Sequence, residues 1–411
     1  MTRQGGLPTV SVIIPARDAA RALPATLDAL LAGDYPPDRL EVVVAVAPPG
    51  DQTLAVLARA AARAGARLEA AMASPAPAGR SGGTPATAGG GPVVRAVGNP
   101  SRGTSAGLNA ALAASTGDVI VRLDAHAVPA PDYVRACVAA LEHTGAWAVG
   151  GPMVGAGGTP FGAAVSAAQA TWLGSGGAAY RSRVLRTPRR ADTVYLGAWP
   201  RAVLERLGGF DEALGRNQDY ELCLRIREAG GEVWLDPAIR TATRTRDTPL
   251  ALARQYLGYG AGRAATWRRH PRSLRARQAV PAAFVAALGL AAAMRVTSSA
   301  ASARAKRGRH AGRPDARHAD DRGGGFTPRG ALDLAMAVPP RRSSLAPATA
   351  VLAALSGPYA LAVAAVAARH GDRTAAGTLR VGVALAIMHA AWGIGFWAGL
   401  ARSLAPRRGG R

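Results

Sequence analysis

Two short segments of this sequence hold the residue types that catalysis needs. In the first, Arg122-Leu-Asp-Ala-His126, a carboxylate and an imidazole stand two positions apart behind an apolar run. An extended or turning backbone can point residues i and i+2 into one cleft. Asp124 with His126 would then suit Mg2+ or Mn2+ poised on phosphate oxygens, with water in the remaining positions. The alternative is structural: Asp124 caps the loop that follows, and His126 is a surface side chain. The second segment, Arg216-Asn-Gln-Asp-Tyr-Glu221, opens a helical pattern. Asn217 or Asp219 can cap that helix, leaving a carboxylate near the free N–H groups of its N-terminus. Here too a plain capping aspartate before an amphipathic helix is an open reading.

These segments need a frame. Val10–Ile14 reads as a buried strand ended by Pro15, followed by a helical pattern over Ala19–Leu31 with Leu23, Leu27, Leu30 and Leu31 on one face. Tyr35-Pro-Pro37 breaks it, a second strand covers Leu40–Val46, and a helix over Thr53–Ala64 stops at Gly65. Residues 72–92 are rich in Gly, Ala, Pro and Ser and read as a mobile insertion. Strands at Val93–Val97 and Val119–Val121, with a helix over Ser105–Ala114 between them, continue a βαβα order. Short, β-branched strands without alternation predict a mostly parallel, Rossmann-like α/β sheet covered on both faces. Ligands in such sheets lie beyond the carboxyl ends of the strands, here Pro15–Asp18, Ala47–Asp51 and Asp124–His126. Further on come a strand at Val194–Ala198, a short helix reaching Leu207, and a turn at Gly208-Gly-Phe-Asp-Glu212.

The chain has 411 residues and a formal net charge of +24, with Lys306 its only lysine. Arginine is spread along the whole length and not gathered on one periodic face with interleaved aromatics, so nucleic acid is not the expected partner. An anionic membrane surface or a phosphate-bearing substrate accounts for the surplus. Cys137 and Cys223 cannot build a disulfide framework and indicate a reduced compartment. The first apolar run is too short for a signal core and is followed at once by Arg17 and Asp18, so no signal peptide is expected.

The second half changes character. Thr248-Pro249 begins a helix running to about Arg269, whose Trp267, Arg268, Arg269 and His270 suit a membrane interface. Beyond it lie apolar runs at Ala279–Met294, Ser344–Ala368 and Val381–Leu400. The last two reach the roughly 20 residues a bilayer crossing needs, while the first is short. Arg295–Arg342, rich in arginine and lacking periodicity, is expected to be disordered. Keeping that basic stretch on the cytoplasmic side favours a hairpin of the last two runs, with Ala279–Met294 lying in the membrane surface. The expected organisation is a catalytic domain over 1–247, a basic interfacial helix over 248–278, and a membrane region over 279–402 enclosing the loop 295–343.

Six segments in order resemble the family 2 glycosyltransferases, whose fold is called GT-A, and within them the membrane-associated, ExoA-like enzymes of succinoglycan and surface polysaccharides. They are Val12-Ile-Ile-Pro-Ala-Arg-Asp18, Asn99-Pro100 with Gly107-Leu-Asn109, Leu123-Asp-Ala-His126, Val194-Tyr-Leu-Gly197, Gly208-Gly-Phe-Asp-Glu212 and Asn217-Gln-Asp-Tyr-Glu221. The resemblance implies that Asp124 and His126 hold a divalent cation, Mn2+ or Mg2+, in place of the family's Asp-x-Asp pair. It implies that Asp219 is the general base of a single inverting displacement. It places Pro15, Ala16, Asp18, Asp51, Asn109, Asp124, Gly209, Glu221 and Arg263 at the substrates. A nucleotide-sugar donor, a hexose to be moved, and a lipid-linked or glycan acceptor are implied with them, at the cytoplasmic face of the cell membrane.

Three features depart from the family. Only Asp51 remains where relatives carry Asp-Asp-Gly-Ser, which weakens the case for a uridine donor. Gln218 stands where many relatives have Glu. The Gln-x-x-Arg-Trp spacing of processive synthases is missing around Arg254-Gln255 and Trp267, so one or a few additions are expected, not a polymer. Two rivals accompany this reading: a nucleotidyltransferase, for which Pro15-Ala-Arg-Asp18 is a poor phosphate loop, and a non-catalytic membrane scaffold retaining the fold.

Overall fold

The structure, a computed structural model, describes residues 6–48, 52–72, 91–181, 185–311 and 346–404. In chain order the first half comprises β1 (Val10–Ala16), α1 (Leu23–Leu31), β2 (Leu40–Val46), α2 (Thr53–Arg63), β3 (Arg67–Ala71), β4 (Val93–Gly98), α3 (Thr104–Ala113) and β5 (Val119–Arg122). Then follow β6 (Ala127–Pro129), α4 (Tyr133–Thr144), β7 (Ala148–Gly151), β8 (Met153–Ala156), α5 (Pro160–Ala170) and α6 (Trp172–Ser175). The α/β part closes with β9 (Arg189–Arg190), β10 (Tyr195–Pro200), α7 (Arg201–Leu207), α8 (Gln218–Glu228), β11 (Val233–Leu235) and β12 (Thr241–Arg244). Four helices end the chain: α9 (Pro249–Arg269), α10 (Ala276–Ala311), α11 (Ala346–His370) and α12 (Ala375–Leu404).

Nine strands form one sheet in the order β3-β4-β2-β1-β5-β10-β7-β11-β9. From β3 through β5 every pairing is parallel, and β10 runs antiparallel between β5 and β7. This is the mostly parallel, helix-covered α/β arrangement the sequence predicts. The alternating strand of β1 sends Val12 and Ile14 to one face, where they meet Leu23, Leu27 and Cys137, and Ile13 to the other, against Leu108, Leu204 and Leu222. Burial on both faces explains why these strands carry no polar alternation. Ile13 pairs with Arg122, which sets the carboxyl ends of β1 and β5 side by side.

A second, three-stranded sheet, β6-β12-β8, begins one residue after His126. Its strands have only three or four residues each, too few to leave a periodic signal. The expected helix over Ala19–Leu31 is shorter: Ala19–Ala22 is a turn, and α1 starts at Leu23 with Pro24 in its first turn. The proline's fixed φ suits that position. Of the insertion expected at 72–92, residues 73–90 lie outside the described residues.

The C-terminal half differs more. Residues 295–311, expected to be disordered, continue α10 as helix. Ala, Arg and Lys are strong helix formers, and their density there outweighs the missing amphipathic period. With that extension the first apolar helix is no longer short, and Ala276–Thr297, Leu352–His370 and Ala375–Arg402 are each long and apolar enough to cross a membrane. The remainder of the loop expected at 295–343 lies outside the described residues.

The chain divides into two compact units: Met1–Ala282 with Val363–Arg411, and Ala283–Ala362. Within the first, α12 packs along α9 through glycines. A Cβ on Gly260 would stand 2.0 Å from the Trp392 carbonyl oxygen, and one on Gly395 would stand 2.2 Å from that of Leu257. Leu252 and Tyr256 of α9, Val165 of α5, and Leu385 and Met388 of α12 share one apolar cluster. Thr248 caps α9, its hydroxyl accepting from the Ala251 amide at 3.3 Å.

Candidate active site

Strand β5 is apolar until its last residue. Arg122, 3% exposed, brings a guanidinium to the strand's carboxyl end, between β1 and β10. Its Nη2 donates to Asp124 Oδ1 at 2.9 Å, and its Nη1 donates to Asp219 Oδ1. One buried arginine therefore gathers two carboxylates that lie far apart in sequence. Both acids keep an open edge, with side chains 20% and 16% exposed.

Each carboxylate is aimed by its backbone. After Leu123, whose amide donates to the Ile13 carbonyl at 3.1 Å, the chain turns, and the Ala127 amide closes onto the Asp124 carbonyl at 2.9 Å. Ala127 then enters β6 opposite Thr243, and Thr243 Oγ1 hydrogen-bonds Tyr195 at 3.1 Å. Asp219 lies in the first turn of α8. Contrary to the capping expectation, Asn217 makes no side-chain cap there; it takes a left-handed conformation (φ +67°) that turns the chain into the helix. Asparagine tolerates that region better than most residues. In β10 the register slips between Tyr195 and Ala198, where Leu196 and Gly197 have φ of +63° and +99°. This bulge sets the Leu196 amide close enough to the Asp219 carboxyl to exert a lowering effect on it.

The two acids titrate differently. Burial pushes the Asp219 carboxyl up to about 6, and the Asp124 charge adds to this, against the lowering effect of Arg122 and the Leu196 amide. Burial also acts upward on Asp124, but the charges of Arg122, His126 and Arg216 outweigh it and hold its carboxyl below the ordinary value. A neighbouring pair split in this way supplies one fixed anion and one group poised to accept a proton near neutrality.

His126 is exposed beside Asp124. Among the described residues no group of three or more His, Cys, Asp or Glu side chains is placed to hold a metal ion. Asp124 Oδ1 is taken by Arg122, so the protein offers the other carboxylate oxygen and the imidazole. That set fits a divalent cation whose remaining positions are filled by substrate oxygens and water.

The other expected site residues fall into four groups. Pro15 and Ala16 end β1, and Asp18 follows at the exposed carboxyl edge with φ +51°. A Cβ on Gly107 would stand 3.3 Å from the Pro15 Cβ, so α3 lies directly against this edge. Asp51 lies outside the described residues. Asn109, Gly209 and Glu221 brace the site instead of lining it. The Asn109 amide donates to the Phe210 carbonyl at 2.8 Å and accepts from the Phe210 amide at 2.9 Å. Gly209 (φ +71°) leaves the space this needs, since a Cβ would stand 2.6 Å from Asn109 Oδ1. Glu221 is 1% exposed and is held by Arg225 at 2.7 Å and by His270 at 3.2 Å. These bonds satisfy the side chains before any substrate arrives. Arg263 is 7% exposed, with its guanidinium carbon 3.7 Å from the centre of the Tyr220 ring.

Sequence reasoning passed over Arg122 and the Leu196 amide. The signal for Arg122 was present, as the one charge inside Val119-Ile-Val-Arg122.

Comparison with known proteins agrees with the resemblance. Residues 86–195 match the family model described as Glycosyl transferase family 2, and this stretch contains Arg122, Asp124, His126 and Tyr195. The succinoglycan biosynthesis protein ExoA of Rhizobium meliloti (strain 1021) is 31% identical over 194 residues, which cover 47% of this chain and 58% of the relative's length. Among solved structures, the mannosyltransferase PcManGT from Pyrobaculum calidifontis, in complex with GDP-Man and Mn2+, aligns over 97% of this chain and 89% of its own at 20% identity and a TM-score of 0.49. TarS 1–349 of S. aureus in complex with UDP aligns over 62% and 65% at 13% identity and a TM-score of 0.41. Residues 86–195 of this chain thus match the family 2 glycosyltransferases, and the chain is similar to ExoA over 47% of its length.

Proposed function

We propose that the protein is a membrane-anchored, inverting glycosyltransferase that moves a hexose from a nucleotide sugar to a lipid-linked or glycan acceptor in surface polysaccharide assembly. The observation that carries this reading is the single buried Arg122 holding Asp124 and Asp219 at one open edge of the sheet. In this reading residues 1–247 are the catalytic domain, 248–278 the interfacial helix and 279–402 the membrane region. The three long apolar helices support an anchor. The basic stretch following Met294 favours a catalytic domain at the cytoplasmic face of the cell membrane.

The chain's own residues account for one displacement. Asp219, ionised and fixed by Arg122, takes the proton from the acceptor hydroxyl. That oxygen attacks the anomeric carbon on the face opposite the leaving group. The bond to the donor's diphosphate breaks with its electron pair, and the anomeric configuration inverts. Asp124 and His126 would hold a divalent cation, which neutralises charge growing on the diphosphate. Arg122 limits the repulsion between Asp124 and Asp219, so that both can be anionic together.

The test is purified full-length protein with Mn2+ and a panel of UDP-, GDP-, ADP- and dTDP-sugars. One donor should be hydrolysed or transferred. If none is hydrolysed, transferred or bound, the reading fails.

A further inference from the structure

Two guanidinium groups have aromatic rings, and no acid, among the groups that act on them most. Arg263 on α9 is 7% exposed, and its Nη1 is buried without a hydrogen-bond partner among the described residues. Arg181, at the end of the short turn Ala179–Arg181, has a buried Nη1 in the same condition. What faces them is aromatic. Tyr180, Tyr256 and Tyr259 surround Arg181, while Tyr220 and Tyr180 face Arg263, with Arg275 the charge felt from nearby. Tyr180 is common to both, which places the two guanidiniums in one neighbourhood.

Such an arrangement is unfavourable as it stands. A buried charge needs an opposite charge or a full set of acceptors, and an arginine does not escape by losing its proton. Tyrosine rings offset part of the cost through their π faces but supply no anion. The hydroxyls of Tyr256 and Tyr259 accept from Gln169 at 3.3 Å and Gln255 at 3.0 Å, which leaves each hydroxyl proton to donate. A small cavity lined by Met153, Gly155, Ser166, Gln169 and Ala170 opens beside Arg181. The neighbourhood is also continuous with the reaction centre. Tyr180 stacks on Tyr195, centroids 6.1 Å apart, and Tyr195 feels the charges of Asp124 and Arg122.

We propose that Arg181 and Arg263, with the Tyr256 and Tyr259 hydroxyls, form a subsite for the phosphate group of the acceptor. Planar guanidinium forks and phenol donors match the oxygens of a phosphate ester, and no carboxylate competes there. In the proposed function Asp124 and His126 already serve the donor's diphosphate. The subsite proposed here adjoins them through the Tyr180–Tyr195 stack, with Arg263, Tyr256 and Tyr259 on α9 and Arg181 on the turn Ala179–Arg181. The proposal rests on the glycosyltransferase reading for the word acceptor, but the anion site itself can be tested without turnover.

Full-length protein in detergent is titrated calorimetrically with farnesyl phosphate and inorganic phosphate in the absence of divalent metal, and with nucleoside diphosphates in the presence of Mn2+. Farnesyl phosphate should bind, and Arg181→Gln and Arg263→Gln should each weaken it at least about tenfold, as loss of a charge-assisted contact does. Nucleoside diphosphate binding with Mn2+ should be unchanged in both variants. Asp124→Asn should show the reverse pattern. Equal binding of inorganic phosphate would place all recognition in the headgroup and still support the site. Failure of every phosphate to bind, or arginine variants that lose nucleoside diphosphate instead, overturns the proposal. Both variants should also melt no lower than the parent without ligand, because an unbalanced buried charge has been removed. A variant that fails to fold would show the guanidinium to be structural, and would sink the idea as well. Binding of farnesyl phosphate by a protein that transfers no sugar would leave this subsite standing and remove only the catalytic reading.

Discussion

Asp219 carries the sharpest expectations at the scale of single residues. Changing it to Asn keeps its size and its contact with Arg122 while removing the basic oxygen. Transfer should fall by about 10²–10⁴-fold, the usual worth of a general base, with nucleotide binding retained; equal loss of both would remove the base assignment. The sign of the pH dependence follows from protonation. Below about 6 the carboxyl is protonated and cannot accept the acceptor's proton, so the rate should rise as pH increases through that value and then level off. A profile flat from pH 5 to 8 would contradict this. Arg122→Met should do two further things. It leaves two buried carboxylates facing each other, so it should destabilise the fold by about 3 kcal/mol or more, measured by denaturant unfolding. It should also move the rise in rate to higher pH, since Arg122 is what lowers the Asp219 carboxyl.

At the scale of elements, the decisive contacts are close backbone approaches. Gly260 and Gly395 each meet a carbonyl oxygen of the facing helix, so any side chain there must push α9 and α12 apart. Gly260→Val should lower the melting temperature and reduce transfer together, because α9 also packs on the turn before Asp219. A Cβ on Gly262 would stand 2.9 Å from the Arg216 Cβ. Unchanged melting would show that the crossing contributes little. How much of this was legible in the sequence depends on the element. β1, β2 and β5 announce themselves because burial on both faces leaves unbroken β-branched runs. Asp124, His126 and Asp219 stood out as candidates by type and spacing, and only the family resemblance gave them roles. The sheet β6-β12-β8 was not, being too short to show a period, and the role of Arg122 was not, because its second partner stands far along the chain. Asn109, Gly209 and Glu221 were legible as a motif, but only geometry shows that their bonds are used to brace a turn. The helical extension of α10 was missed because lack of periodicity was weighed above propensity.

At the scale of the whole molecule, α12 raises the question of which helices meet the lipid as spans. Its length and hydropathy fit a crossing, yet Val381, Ala384, Leu385, Met388 and Ala391 are buried in the cluster shared with α5 and α9. A helix crossing the hydrocarbon beside α9 would draw Arg254, Arg263 and Arg268 in with it, at about 2.5–3.5 kcal/mol for each charge on insertion scales. The alternative costs less. α12 keeps one face on the catalytic unit and turns Leu379, Val383, Ile394 and Trp397, all exposed, toward the membrane surface. Both ends of α12 would then lie on the same side of the bilayer. Single-cysteine reporters at Arg373 and Arg402, in a background with Cys137 and Cys223 replaced by alanine, should both resist a membrane-impermeant maleimide in intact cells and both react after permeabilisation. Labelling of one end alone in intact cells would show that α12 crosses, and its packing on α9 would have to occur within the membrane.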